Sequence, residues 1–226
     1  MPTVNANRVG SAIGVGSGTF STARESNAET VVDNPTNTDT NTIQHFFDTG
    51  RGGGTHKIRR VFIHFDTSGI SVAPQDATLN IQGATNTSAD VIVVKSTAMS
   101  GDGSTALAAS EFFSSIDYST AYSSEVSSWS TSANNITLNS TALTDIGNNN
   151  NFTVAVIEHD SDFQNTANTS GTVAAGIAYG TTITLTYTAG LTSPGYTHKV
   201  SGVASANIKR VNTVDTANIG KINTVD

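Results

Sequence analysis

The stretch Lys57-Ile58-Arg59-Arg60-Val61-Phe62-Ile63-His64-Phe65-Asp66 decides the fold. Its apolar residues Val61, Ile63 and Phe65 recur every second position, the period that puts side chains on one face of a β-strand. The same alternation sends Arg59 and Arg60 to opposite faces, which splits the local basic cluster of Arg51, Lys57, Arg59 and Arg60. Downstream, Ala77, Leu79 and Ile81 alternate with Thr78 and Asn80, as in a strand with one wet face. Val91-Ile92-Val93-Val94 is unbroken, as in a strand buried on both sides. Phe152-Thr153-Val154-Ala155-Val156-Ile157 and residues 181–187 predict two more strands, the second with Ile183, Leu185 and Tyr187 facing inward. Upstream, residues 42–49 form a short strand that Gly50-Arg51-Gly52-Gly53-Gly54 must end.

The remainder of the middle is less regular. Residues 106–116 accommodate a helical turn or two, and Ile136-Thr137-Leu138 a short strand. Ser140 is placed to cap a helix through Ala142-Leu143-Thr144-Asp145-Ile146 that stops at Gly147. Short strands separated by Gly, Asn and Ser clusters, with no long helices between them, predict an all-β fold. The expected architecture is an antiparallel, jelly-roll-like β-sandwich.

Composition agrees. Charged residues are 13% of the 226, about half the roughly 25% usual in globular proteins, so the surface must be built from Ser, Thr, Asn and Gly, which favour turns and strands. A net charge of −7 argues against a general nucleic-acid partner. The absence of cysteine excludes disulfides and thiolate metal sites. No stretch approaches the roughly 18 apolar residues of a membrane helix, and Met1-Pro2-Thr3-Val4-Asn5 lacks the start of an export leader.

The chain divides into four segments. Residues 1–40 are polar and weakly patterned. They are expected to be an extended N-terminal arm, either flexible or ordered only against a neighbouring subunit. Residues 41–188 are the sandwich body and 189–199 a linker. Residues 200–226 are a repeat, in which Val200-Ser201-Gly202-Val203 returns as Val211-Asn212-Thr213-Val214 and as Ile222-Asn223-Thr224-Val225, eleven residues apart each time. Each copy has too little apolar surface to be stable alone, so the tail is expected to dock or oligomerise. The assembly candidates are Val200, Val203, Ile208, Val211, Val214, Ile219, Ile222 and Val225. Lys199, Lys209, Arg210 and Lys221 outnumber Asp215 and Asp226 there, which makes the tail mildly basic on an acidic body.

Residues able to carry chemistry are few. The five histidines show no zinc-ligand spacing, and no nucleophile elbow or phosphate loop is present. Asp160 and Asp162, in Glu158-His159-Asp160-Ser161-Asp162, are candidate calcium ligands; the same run is equally an acidic turn leaving a sheet. Trp129 and Tyr122 are candidate stacking platforms for a glycan, with Tyr118 and Tyr179 behind them. No catalytic residue is nominated.

The stretch Arg60-Val61-Phe62-Ile63-His64-Phe65-Asp66, followed by Ala77-Thr78-Leu79, resembles the opening strands of DNRLRE-type β-sandwich domains. Ile92-Val93-Val94-Lys95, Asp117-Tyr118-Ser119-Thr120-Ala121-Tyr122, Ile136-Thr137-Leu138-Asn139 and Ile157-Glu158-His159-Asp160 look like a phage-encoded branch of that group. The C-terminal Val-Asn-Thr-Val-Asp and Ala-Asn-Ile-Gly-Lys units look like tail repeats of marine-phage proteins. The resemblance implies a non-enzymatic structural protein of a bacteriophage virion, made in the host cytoplasm and working as a head decoration, a neck or tail component, or a short fibre. Its partners would be copies of itself and other virion proteins, with no nucleic acid and no membrane. The alternative is a carbohydrate-binding adhesin for a host-surface glycan.

Overall fold

The central strand is β5, Thr55–Asp66, and the sheet grows outward from both its edges. A computed structural model describes residues 1–33, 41–50, 54–169 and 171–191, with the backbone of 210–211 and 214–215. Along one edge of β5 runs β2, Arg8–Ser17, in an unbroken register from Arg8 opposite His64 to Ser17 opposite Thr55. β3, Thr30–Asp33, pairs with the outer edge of β2. The other edge of β5 is shared. β4, Asn41–Asp48, takes its first half, and β10, Asn151–Glu158, takes its second. β10 continues to β7, Val91–Ser96, and β8, Ile116–Ala121, while β4 continues to β11, Gly171–Ile177.

The turn from one leaf to the other happens inside β6, Asp76–Thr87. Its first half pairs with β12, Thr184–Thr188, and β9, Ala133–Thr137; β12 in turn carries β1, Thr3–Asn5. Its second half, from Gly83, pairs with β11 across a bulge, the device that bends a strand. A Cβ on Gly83 would lie 1.9 Å from the Ser130 carbonyl oxygen, so only glycine fits this corner. All pairings between these named strands are antiparallel, and the result is an all-β, sandwich-like fold.

β5 shows why it holds. Val61, Ile63 and Phe65 enter the core between the leaves with Leu79, Ile81, Val91, Val93, Phe152 and Leu185. The opposite parity is buried too. Ile58 and Phe62 join Ile92, Val94, Ala155 and Ile157 in a second core on the outer face of the large leaf. That face is roofed by Ala23 of α1, Phe20–Glu25, by Met99 and Leu107, and by Phe112 of α2, Glu111–Ser114. Each fully buried side chain of this size contributes about 1.5–3 kcal/mol, and β5 supplies them to both cores. The unbroken Val91–Val94 run lies in both cores, as its pattern predicts.

The N-terminal expectation needs correction. Residues 1–33, read as part of an arm, supply three strands and a helix to the body. Their glycines obscure the pattern for a structural reason. A Cβ on Gly14 would meet the Ala23 carbonyl oxygen at 2.0 Å and the Phe112 ring at 2.4 Å, and one on Gly16 the Thr19 carbonyl oxygen at 2.3 Å. Glycine in β2 lets α1 and α2 lie directly on the strand. A smaller correction concerns α3, Ser140–Asn148, whose cap is Asn139 and not Ser140. The Asn139 side-chain oxygen accepts from the N–H groups of Thr141 and Ala142, both at 3.1 Å.

Candidate functional site

The apolar run of β10 ends at Glu158, and the chain passes there into a densely hydrogen-bonded polar turn. The Glu158 carboxylate is almost fully buried. It accepts from the backbone N–H groups of Ser161 at 2.6 Å, Asp160 at 3.3 Å and Asp162 at 3.4 Å, and from the Ser161 hydroxyl. A carboxylate at a helical N-terminus satisfies donors that have no partner within the turn, and here it winds His159–Phe163 into one π-helical turn. Burial raises the Glu158 pKa, and the hydrogen bonds from Ser161 and the turn oppose the rise. The turn then sends Asp162 inward and leaves Asp160 outside.

Asp162 is fully buried against fully buried Arg60. Arg60 Nε and Nη2 donate to the two Asp162 carboxylate oxygens at 2.6 and 2.7 Å, a bidentate pair. Its Nη1 donates to the Phe112 carbonyl oxygen at 2.6 Å and Nη2 to that of Arg24 at 2.8 Å, while the guanidinium lies 3.9 Å over the Phe112 ring. Arg24 Nε donates to the Asp162 carbonyl oxygen, and the Tyr118 hydroxyl to the Asp162 carboxylate. Burial alone would lower the Arg60 pKa, but the Asp162 charge outweighs it and the net direction is up. The network ties β5, α1, α2 and the π-turn together at the centre of the second core.

This geometry separates the two calcium candidates. Both oxygens of Asp162 are taken by Arg60, and a cation there would face a guanidinium, so Asp162 is corrected from metal ligand to ion-pair partner. Asp160 stays outside with a different set of neighbours. Its Oδ1 lies 2.9 Å from His159 Nδ1, and Glu125 Oε2 lies 3.4 Å from the same nitrogen. Beside them opens a cavity of about 200 Å³ lined by Glu158, Asp160, Ser161, Ser88 and Asn168 among others. Sequence reasoning missed Glu125, which sits in the serine-rich stretch Ser123-Ser124-Glu125-Val126-Ser127-Ser128 with no spacing to link it to His159.

The glycan candidates are corrected in the same way. Trp129 is 3% exposed and its indole N–H donates to the Gly176 carbonyl oxygen at 3.1 Å; Tyr122 is 2% exposed and stacks on Phe152. The Tyr122 hydroxyl donates to Asp145, which Lys95 also reaches. Neither ring has a free face for a sugar. Tyr118 packs under Arg24, and only Tyr179 of the four stands out from the surface. The basic cluster is split as the alternation predicts, with Arg60 inside and Lys57 over the Phe46 ring on the outside; Arg51 lies outside the described residues. The assembly candidates Val200, Val203, Ile208, Ile219, Ile222 and Val225 also lie outside them. Val211 and Val214 are described by backbone alone, paired in a two-residue antiparallel ladder.

His45 and His56 form a second polar inclusion under α1. His45 Nε2 lies 3.0 Å from His56 Nδ1, and Phe20 and Phe47 pack on the pair. Among the described residues His45 Nδ1 has no hydrogen-bond partner. Burial, then the adjacent His56, lower the His45 pKa to about 4, with the Asp162 charge acting weakly the other way. Because the folded value lies below the unfolded one, the unfolded chain takes up the proton first as pH falls below about 6.5. Stability from His45 is therefore complete above that pH and is lost on the way down to about 4, by about 2–3 kcal/mol. Urea midpoints at pH 7.0 and 4.5 should fall further for the parent chain than for His45→Gln. Equal falls would remove His45 as the titrating group.

Compared with models of known protein families and with curated protein sequences, the chain matches none.

Proposed function

We propose that this protein is a non-enzymatic structural component of a bacteriophage virion, a self-contained sandwich joined to its neighbours through its C-terminal repeat. The observation that carries the reading is the contrast between a body with two apolar cores of its own and a tail made of short sequence repeats. The body closes at residue 189, where the carbonyl oxygen of Ala189 accepts from Gln75 Nε2. The tail repeats every eleven residues, and each copy is too thin in apolar surface to fold alone. A two-residue ladder such as Arg210–Val211 with Val214–Asp215 is far below what an isolated hairpin needs in water. A mildly basic tail sequence on an acidic chain favours contact between copies, or with other virion proteins.

Two observations sharpen the reading. Residues 1–33 are consumed within the body, so assembly falls to the C-terminal segment and not to both ends. A hydroxyl–imidazole contact of the kind that nucleophilic catalysis uses, Thr153 Oγ1 at 2.7 Å from His64 Nδ1, is sealed in the sheet with both residues buried, which supports a role without catalysis. The adhesin alternative loses its two chosen rings to the core. A head decoration, a neck or tail component and a short fibre all suit a closed body with an adhesive tail.

The test is a chain ending at residue 191. Its far-UV spectrum and thermal midpoint should match those of the full chain, while its self-association in sedimentation and its incorporation into particles are lost. Incorporation of the shortened chain at the full-length level would sink the proposal.

A further inference from the structure

The cluster beside the acidic turn is drawn from three separate stretches that the backbone pins together. The His159 N–H donates to the Asp90 carbonyl oxygen at 2.7 Å, and Val91 and Val126 exchange N–H to carbonyl bonds at 3.1 and 2.8 Å. Asp90, Glu125 and His159-Asp160 are therefore each within one residue of a fixed backbone contact. The side-chain ligand atoms of Glu125, His159 and Asp160 all lie within 4.8 Å of one another. His159 Nδ1 is the closest to both acids, at 2.9 Å from Asp160 Oδ1 and 3.4 Å from Glu125 Oε2.

Those separations suit a small metal ion. Zinc binds imidazole nitrogen and carboxylate oxygen at about 2.0–2.2 Å in a tetrahedron, which puts ligand atoms about 3.4 Å apart. Charge points the same way. Among the described residues the only ion-pair partner of Glu125 and of Asp160 is His159. Asp90, whose backbone carbonyl oxygen accepts from the His159 N–H, adds a third carboxylate to the same neighbourhood. A cation would relieve the repulsion among like charges gathered there. Asp160 is shared with the neighbouring cavity, whose wall it forms together with Glu158, Ser161, Ser88 and Asn168.

We propose that Glu125, His159 and Asp160 bind a divalent transition-metal ion of the zinc class, through His159 Nδ1 and one carboxylate oxygen from each acid. The imidazole decides the class, because calcium takes six to eight oxygen ligands whereas nitrogen with two carboxylates suits zinc and its neighbours. The bound ion would cross-link the end of β10 to the segment that carries Glu125.

The experiment uses the full chain, stripped with EDTA, dialysed, and titrated with zinc chloride at pH 7.5 by calorimetry, with thermal melting in parallel. One zinc per chain should bind saturably and raise the melting midpoint. Glu125→Gln and His159→Gln should each weaken that site by at least tenfold while leaving the metal-free far-UV spectrum unchanged. No saturable binding, or binding equally strong in both variants, would overturn the site; a calcium-induced rise as large as that with zinc would overturn its class. If either variant misfolds, X-ray absorption of the zinc-loaded parent chain decides. One imidazole and otherwise oxygen ligands support the proposal, and two or more imidazoles refute it.

Discussion

Asp162→Ala should lower the unfolding free energy by about 3–5 kcal/mol, the cost of leaving one charge of a buried pair without its partner. The arrangement puts it in that range. Arg60 is fully buried, so on losing Asp162 its guanidinium keeps the Phe112 and Arg24 carbonyl oxygens as hydrogen-bond partners. Glu25, whose charge also favours the charged guanidinium, makes no hydrogen bond to it that could replace the bidentate carboxylate. Domains of this kind have about 5–15 kcal/mol in total, so the variant should be marginal at room temperature. Arg60→Met should be comparably damaging. It leaves the Asp162 carboxylate with only Arg24 Nε at 3.5 Å and the Tyr118 hydroxyl, and it removes the donors to both carbonyl oxygens, each worth about 1–3 kcal/mol when buried and unsatisfied.

The double variant Arg60→Met with Asp162→Leu separates charge from hydrogen bonding. Replacing a buried ion pair with apolar residues is often neutral or stabilising, but here the Phe112 and Arg24 carbonyl oxygens would remain without donors. The double variant should therefore recover part of the loss and stay below the parent chain. Equilibrium urea unfolding of all three decides. A loss under about 1 kcal/mol in both single variants would show that the pair behaves like an exposed one.

Removal of residues 1–33 should abolish cooperative folding altogether. β2 is paired with β5 from Thr55 to His64, so its loss opens that edge of the central strand to solvent and to other chains. The same deletion removes α1, and with it Ala23 from the second core, Phe20 from the His45–His56 pair, and the Arg24 carbonyl oxygen that Arg60 uses. A chain beginning at residue 34 should be insoluble or lack a thermal transition by circular dichroism. A soluble product that melts cooperatively would mean that β2 is dispensable. The contrast with the chain ending at residue 191 matters, because it assigns folding to the N-terminal segment and association to the C-terminal one.

The fold class was legible because the deciding signals are local. Strand formation couples to side-chain alternation over a handful of residues, and Val61, Ile63, Phe65, Leu79, Ile81 and Leu185 carry that period in the sequence itself. Even the split of Arg59 from Arg60 is a matter of parity. β2 was not legible, because Gly10, Gly14 and Gly16 interrupt its apolar pattern, and they are there to admit α1, α2 and the Leu107 loop at contact distance. What requires glycine is a neighbour far away in the chain, which local periodicity does not record.

The polar sites divide along the same line. An acidic turn after β10 can be read directly from Glu158-His159-Asp160-Ser161-Asp162. That Asp162 turns in to meet Arg60, 102 positions away, and Asp160 turns out towards Glu125, depends on which way the π-turn is wound and on what the sheet brings beneath it. Trp129 and Tyr122 are aromatic in any reading, but only packing against Gly176 and Phe152 makes them core. Order along the chain was enough to specify the regularly patterned strands β5, β6, β7 and β10 and the repeat, because hydrogen-bonded ladders impose short periods. Which charges are paired, which rings are covered and which carboxylates meet came from packing alone, because those outcomes depend on distances between segments that no local period encodes.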